Sequence, residues 1–147
     1  MGRWICETPI DLPRLLGEAE DTASGAVVVF CGTVRDENEG RSVESMTYEA
    51  HISLAEKVLR EIEQETVEKY GARRCRIQHR IGRLQLGELS VAIVVCAGHR
   101  AEAYEASRYA IDEVKRRAPI WKEEHYLDGQ SRFLDGVPLT GPEEAAL

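Results

Sequence analysis

Two lysines frame the chemistry that this chain can offer. Lys115 falls in the last turn of a predicted helix, and Lys122 lies just past Pro119, in the run Lys-Arg-Arg-Ala-Pro-Ile-Trp-Lys. Proline ends the helix and turns the chain, so both ammonium groups can face one pocket. Arg108, Ile111 and Lys115 recur at helical spacing and share a face. Cations gathered in this way bind anions. A lysine crowded by like charge, or drawn out of water, also gives up its proton nearer neutrality. The plainer account is that basic residues at a helix C-terminus complement its dipole.

Gly98-His99-Arg100 stands between a predicted strand and that helix. Free backbone N–H groups at a helix N-terminus bind anions, and an adjacent arginine adds a two-pronged donor. The alternative is that His99 caps the helix and Arg100 is solvated. Thr33-Val34-Arg35-Asp36 ends an apolar run that lasts to Phe30, so polar groups arrive at a sheet edge, a frequent place for ligand contacts. An Arg35–Asp36 surface pair of little energetic value is the competing reading. In His79-Arg80-Ile81-Gly82, His79 and Ile81 share one strand face with Arg80 on the other. A structural histidine is the expectation there.

Elements must hold these groups. Arg3 to Glu7 reads as a short strand. Asp11 can cap a helix from Leu12-Pro13 that carries Leu15, Leu16 and Ala19. Gly25 to Arg35 is β-branched and predicts a buried strand, with Ser42 to Ala50 as an alternating partner across a charged loop. Ser53-Leu54-Ala55-Glu56 has the form of a capping box, opening a helix through Tyr70 with Leu54, Val58, Ile62 and Tyr70 on its apolar stripe and Gly71 as its stop. Arg74 to Leu84 and Leu89 to Ala97 predict two strands around a turn at Leu86-Gly87-Glu88. A third helix, Ala101 to Arg117, has Tyr104, Ser107, Ile111 and Val114 as its stripe, and Ile120 to Leu127 is a last strand. Paired strands between helices indicate an α+β fold rather than a doubly wound parallel sheet.

The chain of 147 residues suits one domain, and 43% hydrophobic with 31% charged residues is an ordinary globular balance. A net charge of −7 excludes general nucleic-acid binding but leaves room for a local basic pocket. No apolar run is long enough to span a bilayer, and the N-terminal residues do not form a signal peptide, so a cytoplasmic location without membrane association is expected. Cys6, Cys31, Cys75 and Cys96 form no C-x-x-C pair, so buried free thiols rather than a metal site are expected. No nucleotide-binding glycine motif occurs, and no cofactor is expected.

Taken together, several pieces in this order resemble the large, catalytic subunit family of molybdopterin synthase. They are Phe-Cys-Gly-Thr-Val-Arg-Asp at Phe30 to Asp36, Tyr48-Glu49, His79 to Gly82, Gly87-Glu88, His99-Arg100, and the block from Lys115 to Lys122. The likeness runs from about Gly25 to Phe133, and the last block is the most specific piece. It implies an α/β hammerhead fold with an antiparallel sheet and about three helices, in one domain over residues 1–133 followed by a flexible tail over 134–147. It implies a sulfurtransferase acting on cyclic pyranopterin monophosphate. The sulfur donor would be a small ubiquitin-like subunit whose C-terminal Gly-Gly ends as a thiocarboxylate. Large subunits would form a homodimer with a small subunit at each far end, a heterotetramer.

By the same resemblance Lys115 and Lys122 are the catalytic lysines. Thr33, Val34 and Arg35 line the pterin pocket, Phe30 and Ile111 form its apolar side, and Glu123 and Glu124 complete its wall. His99 and Arg100 bind the phosphate, an arrangement that a dimer can complete across its interface. The chain departs from the pattern past Phe133, where family members tend to carry another basic residue and this chain has Leu134-Asp135-Gly136-Val137. The competing function is a non-enzymatic module that binds a ubiquitin-like partner's tail. Intact Lys115, Lys122, Arg35 and Arg100 speak against it.

Overall fold

The most apolar stretch of the chain forms the centre of the principal sheet in the computed structural model, which describes residues 4–134. In chain order the elements are β1 (Ile5–Cys6), α1 (Leu12–Glu18), β2 (Ala26–Thr33), β3 (Glu37–Asn38), β4 (Arg41–Ala50), α2 (Ile52–Tyr70), β5 (Arg74–Arg80), β6 (Gly82–Gln85), β7 (Leu89–Ala97), α3 (Arg100–Arg117), β8 (Ile120–Tyr126) and β9 (Ser131–Leu134). β7 pairs antiparallel with β5 on one side and β2 on the other, and β1 adds parallel to β5. Both faces of β7 are covered, which is why the run tolerates almost no polar residue. α2 and α3 bury Leu59, Ile62, Ile77, Ile93 and Val95 against one face. α1 sets Leu15 and Ala19 on Ala92, Val94 and Cys96 of the other.

A second sheet is built on β4, which pairs antiparallel with β3, β6 and β8, while β9 extends it beyond β8. This is an α+β fold with three helices, as expected. The principal sheet, however, is mixed rather than wholly antiparallel, because β1 runs parallel to β5.

Several local expectations need correction. The run Arg74 to Leu84 is two strands in two sheets: Gly82 takes φ +97°, a conformation open to glycine, and the chain leaves β7 for β4. The capping box does not form. His51 caps α2, its Nδ1 accepting from the Leu54 N–H at 3.3 Å, while Glu56 reaches away to accept from the Ile5 N–H at 3.2 Å. The buried stripe of α2 is Ala55, Leu59, Ile62 and Thr66, leaving Leu54 and Tyr70 exposed. On α3 it is Ala103, Ala106, Ser107, Ala110 and Val114, with Tyr104 at 65% exposure. Small residues let α3 lie close on the sheet, a geometry that large aliphatics would prevent. β2 is an edge strand with Val27 and Val29 exposed, not a buried one. Of the four free thiols, Cys75 and Cys96 are buried while Cys6 and Cys31 are only half-buried. No helix among the described residues is long and apolar enough to cross a membrane. The tail expected from residue 134 starts inside β9, and its remainder lies outside the described residues.

Candidate active site

Where α3 ends, the two sheets part around a cavity of about 590 Å³. Ala118 leaves the helix in an extended conformation, and the Pro119 carbonyl accepts the His51 N–H at 3.1 Å, which pins the turn. The short crossing from α3 to β8 therefore brings Lys115 and Lys122 to one wall. Lys115 is exposed at the rim, and Lys122 is half-buried opposite Tyr48. Burial, then the charge of Lys115, lower the proton affinity of Lys122. Glu124 pulls the other way, and Arg35 adds to the lowering. The crowding expected of a basic pocket thus falls on the inner lysine.

Strand alternation decides which neighbours share the cavity. On β8, Lys122 and Glu124 line it, while Glu123 does not. Glu124 is buried, and its Oε1 accepts from Asn38 Nδ2 and from the Tyr126 hydroxyl, each at 2.8 Å. At the end of β2, Thr33 and Arg35 line the cavity, while Val34 turns into a separate cluster with Met46 and Leu84. A bulge at Gly32–Thr33 sets this phase. A Cβ at Gly32 would meet Val91 Cγ1 at 2.8 Å, so the strand can approach β7 closely here only as glycine. Phe30 and Ile111 supply an apolar wall. Arg108 faces away, with Asp112 at 3.9 Å.

His99 and Arg100 do not reach this cavity. Both are exposed at the opposite end of α3, about 22 Å from Lys115 at the rise of an α-helix. His99 occupies the N-cap position and makes no side-chain capping bond. Within one chain they are therefore kept apart from the lysines.

The cavity also holds residues that the sequence reading did not assign to a site: Tyr48, His79, Ser90, Asn38, and Arg132 and Phe133 of β9. His79 is buried, and its Nδ1–H donates to the Arg80 carbonyl at 2.8 Å, as suits the structural role expected of it. Its ring nevertheless forms part of the cavity wall, edge-on to Tyr48 with centroids 5.1 Å apart. In the sequence both residues belong to motifs that carry the family resemblance, His79 to His79–Gly82 and Tyr48 to Tyr48-Glu49. Across the mouth, Arg132 pairs with Glu39 at 3.1 Å. The whole arrangement can hold an anion between Lys115, Lys122 and Arg35, seat a planar ring against Phe30 and Ile111, and exchange a proton at Lys122.

The family model described as MoaE protein matches residues 5–117. A molybdopterin synthase catalytic subunit from Halalkalibacterium halodurans is 42% identical over 142 residues, covering 97% of this chain and 91% of the relative. The crystal structure of molybdopterin synthase from Staphylococcus aureus superposes with a TM-score of 0.86 at 39% identity, covering 92% of this chain and 98% of that one. A complex of subunits 1 and 2 of molybdopterin-converting factor from Helicobacter pylori shares the fold, with a TM-score of 0.75 at 24% identity.

Proposed function

The chain belongs to the MoaE family, the catalytic subunits of molybdopterin synthase in molybdenum cofactor biosynthesis, and we propose that its cavity performs the sulfur transfer with Lys115 and Lys122. The observation that carries the proposal is the convergence of these two lysines with Arg35 on one cavity. The substrate is cyclic pyranopterin monophosphate, its ring against Phe30 and Ile111 and its polar edge toward Thr33, Arg35, Lys122 and Glu124. The donor is the thiocarboxylate tail of a small ubiquitin-like subunit. That the Helicobacter pylori neighbour is a complex of two subunits of molybdopterin-converting factor is consistent with a second subunit here. Lys115, at the rim, meets the incoming thiocarboxylate. Lys122, deeper and with its proton held less tightly, holds the pterin and exchanges protons during transfer.

The phosphate falls to His99 and Arg100 of a second copy. β2 has no strand partner on its outer edge among the described residues, and it exposes Val27 and Val29 there. It starts beside the His99 corner, where the Gly25 N–H donates to the Ala97 carbonyl at 3.1 Å, and it ends at Thr33 in the cavity. Two copies joined antiparallel along β2 would lay one protomer's His99 corner beside the other's Arg35. This supports a homodimer with shared sites.

The test combines the protein with a thiocarboxylated small subunit and cyclic pyranopterin monophosphate and assays for the dithiolene. Product from the parent, and none from a Lys115→Ala protein that still folds and still binds the small subunit, is expected. Lys115→Arg should also fail, because the planar guanidinium fork differs in shape from the compact ammonium that meets the thiocarboxylate. Near-parental turnover by Lys115→Ala overturns the assignment. Tight binding of the small subunit without product from the parent indicates a binding module instead.

A further inference from the structure

The cavity is rich in donors. Lys115, Lys122 and Arg35 carry only N–H groups; of the carboxylates that line it, Glu39 is paired with Arg132 and one oxygen of Glu124 is engaged by Asn38 and Tyr126, which leaves Glu37 and the second Glu124 oxygen as acceptors beside His79. A pterin ring carries N–H groups of its own and needs acceptors. His79 is built as one. A carbonyl can only accept, so the 2.8 Å contact to Arg80 fixes the proton on Nδ1. The other nitrogen, Nε2, therefore carries a lone pair. It has no protein hydrogen-bond partner among the described residues, and it is absent from the fully enclosed polar atoms that lack one. The ring lines the cavity, held edge-on by Tyr48.

We propose that His79 is a substrate-positioning residue whose Nε2 accepts a hydrogen bond from a ring N–H of the pterin. The proposal rests on the pterin reading of this cavity and adds to it a residue that selects for donors on the ring. Its surroundings keep it in that role. Burial, above all, and then the charges of Lys115 and Lys122 lower its proton affinity to about 4, so the imidazole stays neutral at working pH and Nε2 stays an acceptor. A second donor at this point would repel the ring edge, whereas a neutral imidazole orients it beneath the lysines.

Steady-state kinetics with thiocarboxylated small subunit and varied cyclic pyranopterin monophosphate test this on the parent, His79→Phe and His79→Gln. Phenylalanine keeps the ring shape and removes the acceptor, and glutamine restores an acceptor on a flexible stem. His79→Phe should raise the KM for the pterin about tenfold with kcat close to parental, and His79→Gln should recover most of that loss. An unchanged KM in His79→Phe, or a glutamine variant no better than phenylalanine, overturns the proposal. Because the Arg80 carbonyl loses its donor in both variants, nitrogen NMR of the parent supplies an independent reading. The His79 Nε2 signal should be that of an unprotonated nitrogen at neutral pH and should move when the pterin is added. A protonated or unmoved Nε2 overturns the proposal. A parent without activity overturns the pterin reading and this inference with it. An active parent with an indifferent His79→Phe overturns this inference alone.

Discussion

His79 makes the protein's stability depend on pH in a calculable way. Its proton affinity in the folded state is lowered from 6.5 to about 4, first by burial and then by Lys115 and Lys122, against a raising effect of the bond to Arg80. Between those values the unfolded chain binds a proton that the folded chain refuses, so acid favours unfolding. The contribution is whole above the unfolded value and is lost as pH falls toward the folded one. Between about pH 7.5 and about pH 5 the loss is about 2 kcal/mol, rising to about 3 kcal/mol once both states are protonated. With a urea dependence of about 2 kcal/mol/M, the first figure is a midpoint shift of about 1 M. Urea unfolding of the parent and of His79→Gln over this range isolates it. Carboxylates such as Glu65, held down to about 2 chiefly by its bond from Arg117, titrate in both proteins and cancel in the difference. The stability difference between parent and variant should move by about 2 kcal/mol in the variant's favour on acidification. Parallel curves would refute the buried, neutral state of His79.

Two other outcomes follow from the backbone and from the proposed dimer. A Cβ on Gly25 would stand 2.6 Å from the Gly98 carbonyl oxygen. Gly25→Ala should therefore cost on the order of 1–3 kcal/mol in thermal unfolding and weaken pterin binding by displacing the His99 corner; an unaltered melting curve would be the contrary result. Lys115→Ala and Arg100→Ala proteins, each inactive alone, should on mixing and subunit exchange recover about one quarter of parental turnover, since half the dimers are mixed and each has one intact shared site. No recovery despite demonstrated exchange would show that the sites are not shared.

What could be read in the sequence divides along a physical line. Signals set by the local chain were legible. Asp11 accepts the Arg14 N–H as a cap, Gly71 stops α2 at φ +71°, Pro119 turns the chain, and Leu89 to Ala97 is a strand. Signals set by packing were not. A capping box is only an opportunity: Glu56 went to the backbone at β1, accepting from the Ile5 N–H, 51 residues away in sequence. Of the expected stripes Ile62, Ser107 and Val114 are buried, but Leu54, Tyr70 and Tyr104 are not: α2 turns Ala55, Leu59 and Thr66 inward, and α3 buries the alanines Ala103, Ala106 and Ala110. The strand from Arg74 looked continuous because only the positive φ of Gly82 reveals that it changes sheets. Among site residues, those one strand position out of phase, Val34 and Glu123, were brought in by motif adjacency and are separated from the cavity by alternation.

The position of His99 and Arg100 poses a different problem, one of distance rather than of phase. α3 carries cations at both ends, and at the rise of an α-helix Arg100 and Lys115 stand about 22 Å apart along its axis. A single protomer cannot direct both ends at one small substrate. Either the N-terminal end serves a separate anion, or it serves the cavity of a neighbour. β2 leaves Val27 and Val29 exposed on an edge strand, and its approach at Gly25 lies against the Gly98 carbonyl, next to His99 in the chain. The same two features are what a twofold pairing along β2 requires, because antiparallel edges exchange ends. In the dimer proposed above, the residues that chain adjacency leaves unused are the ones that symmetry would return to the site.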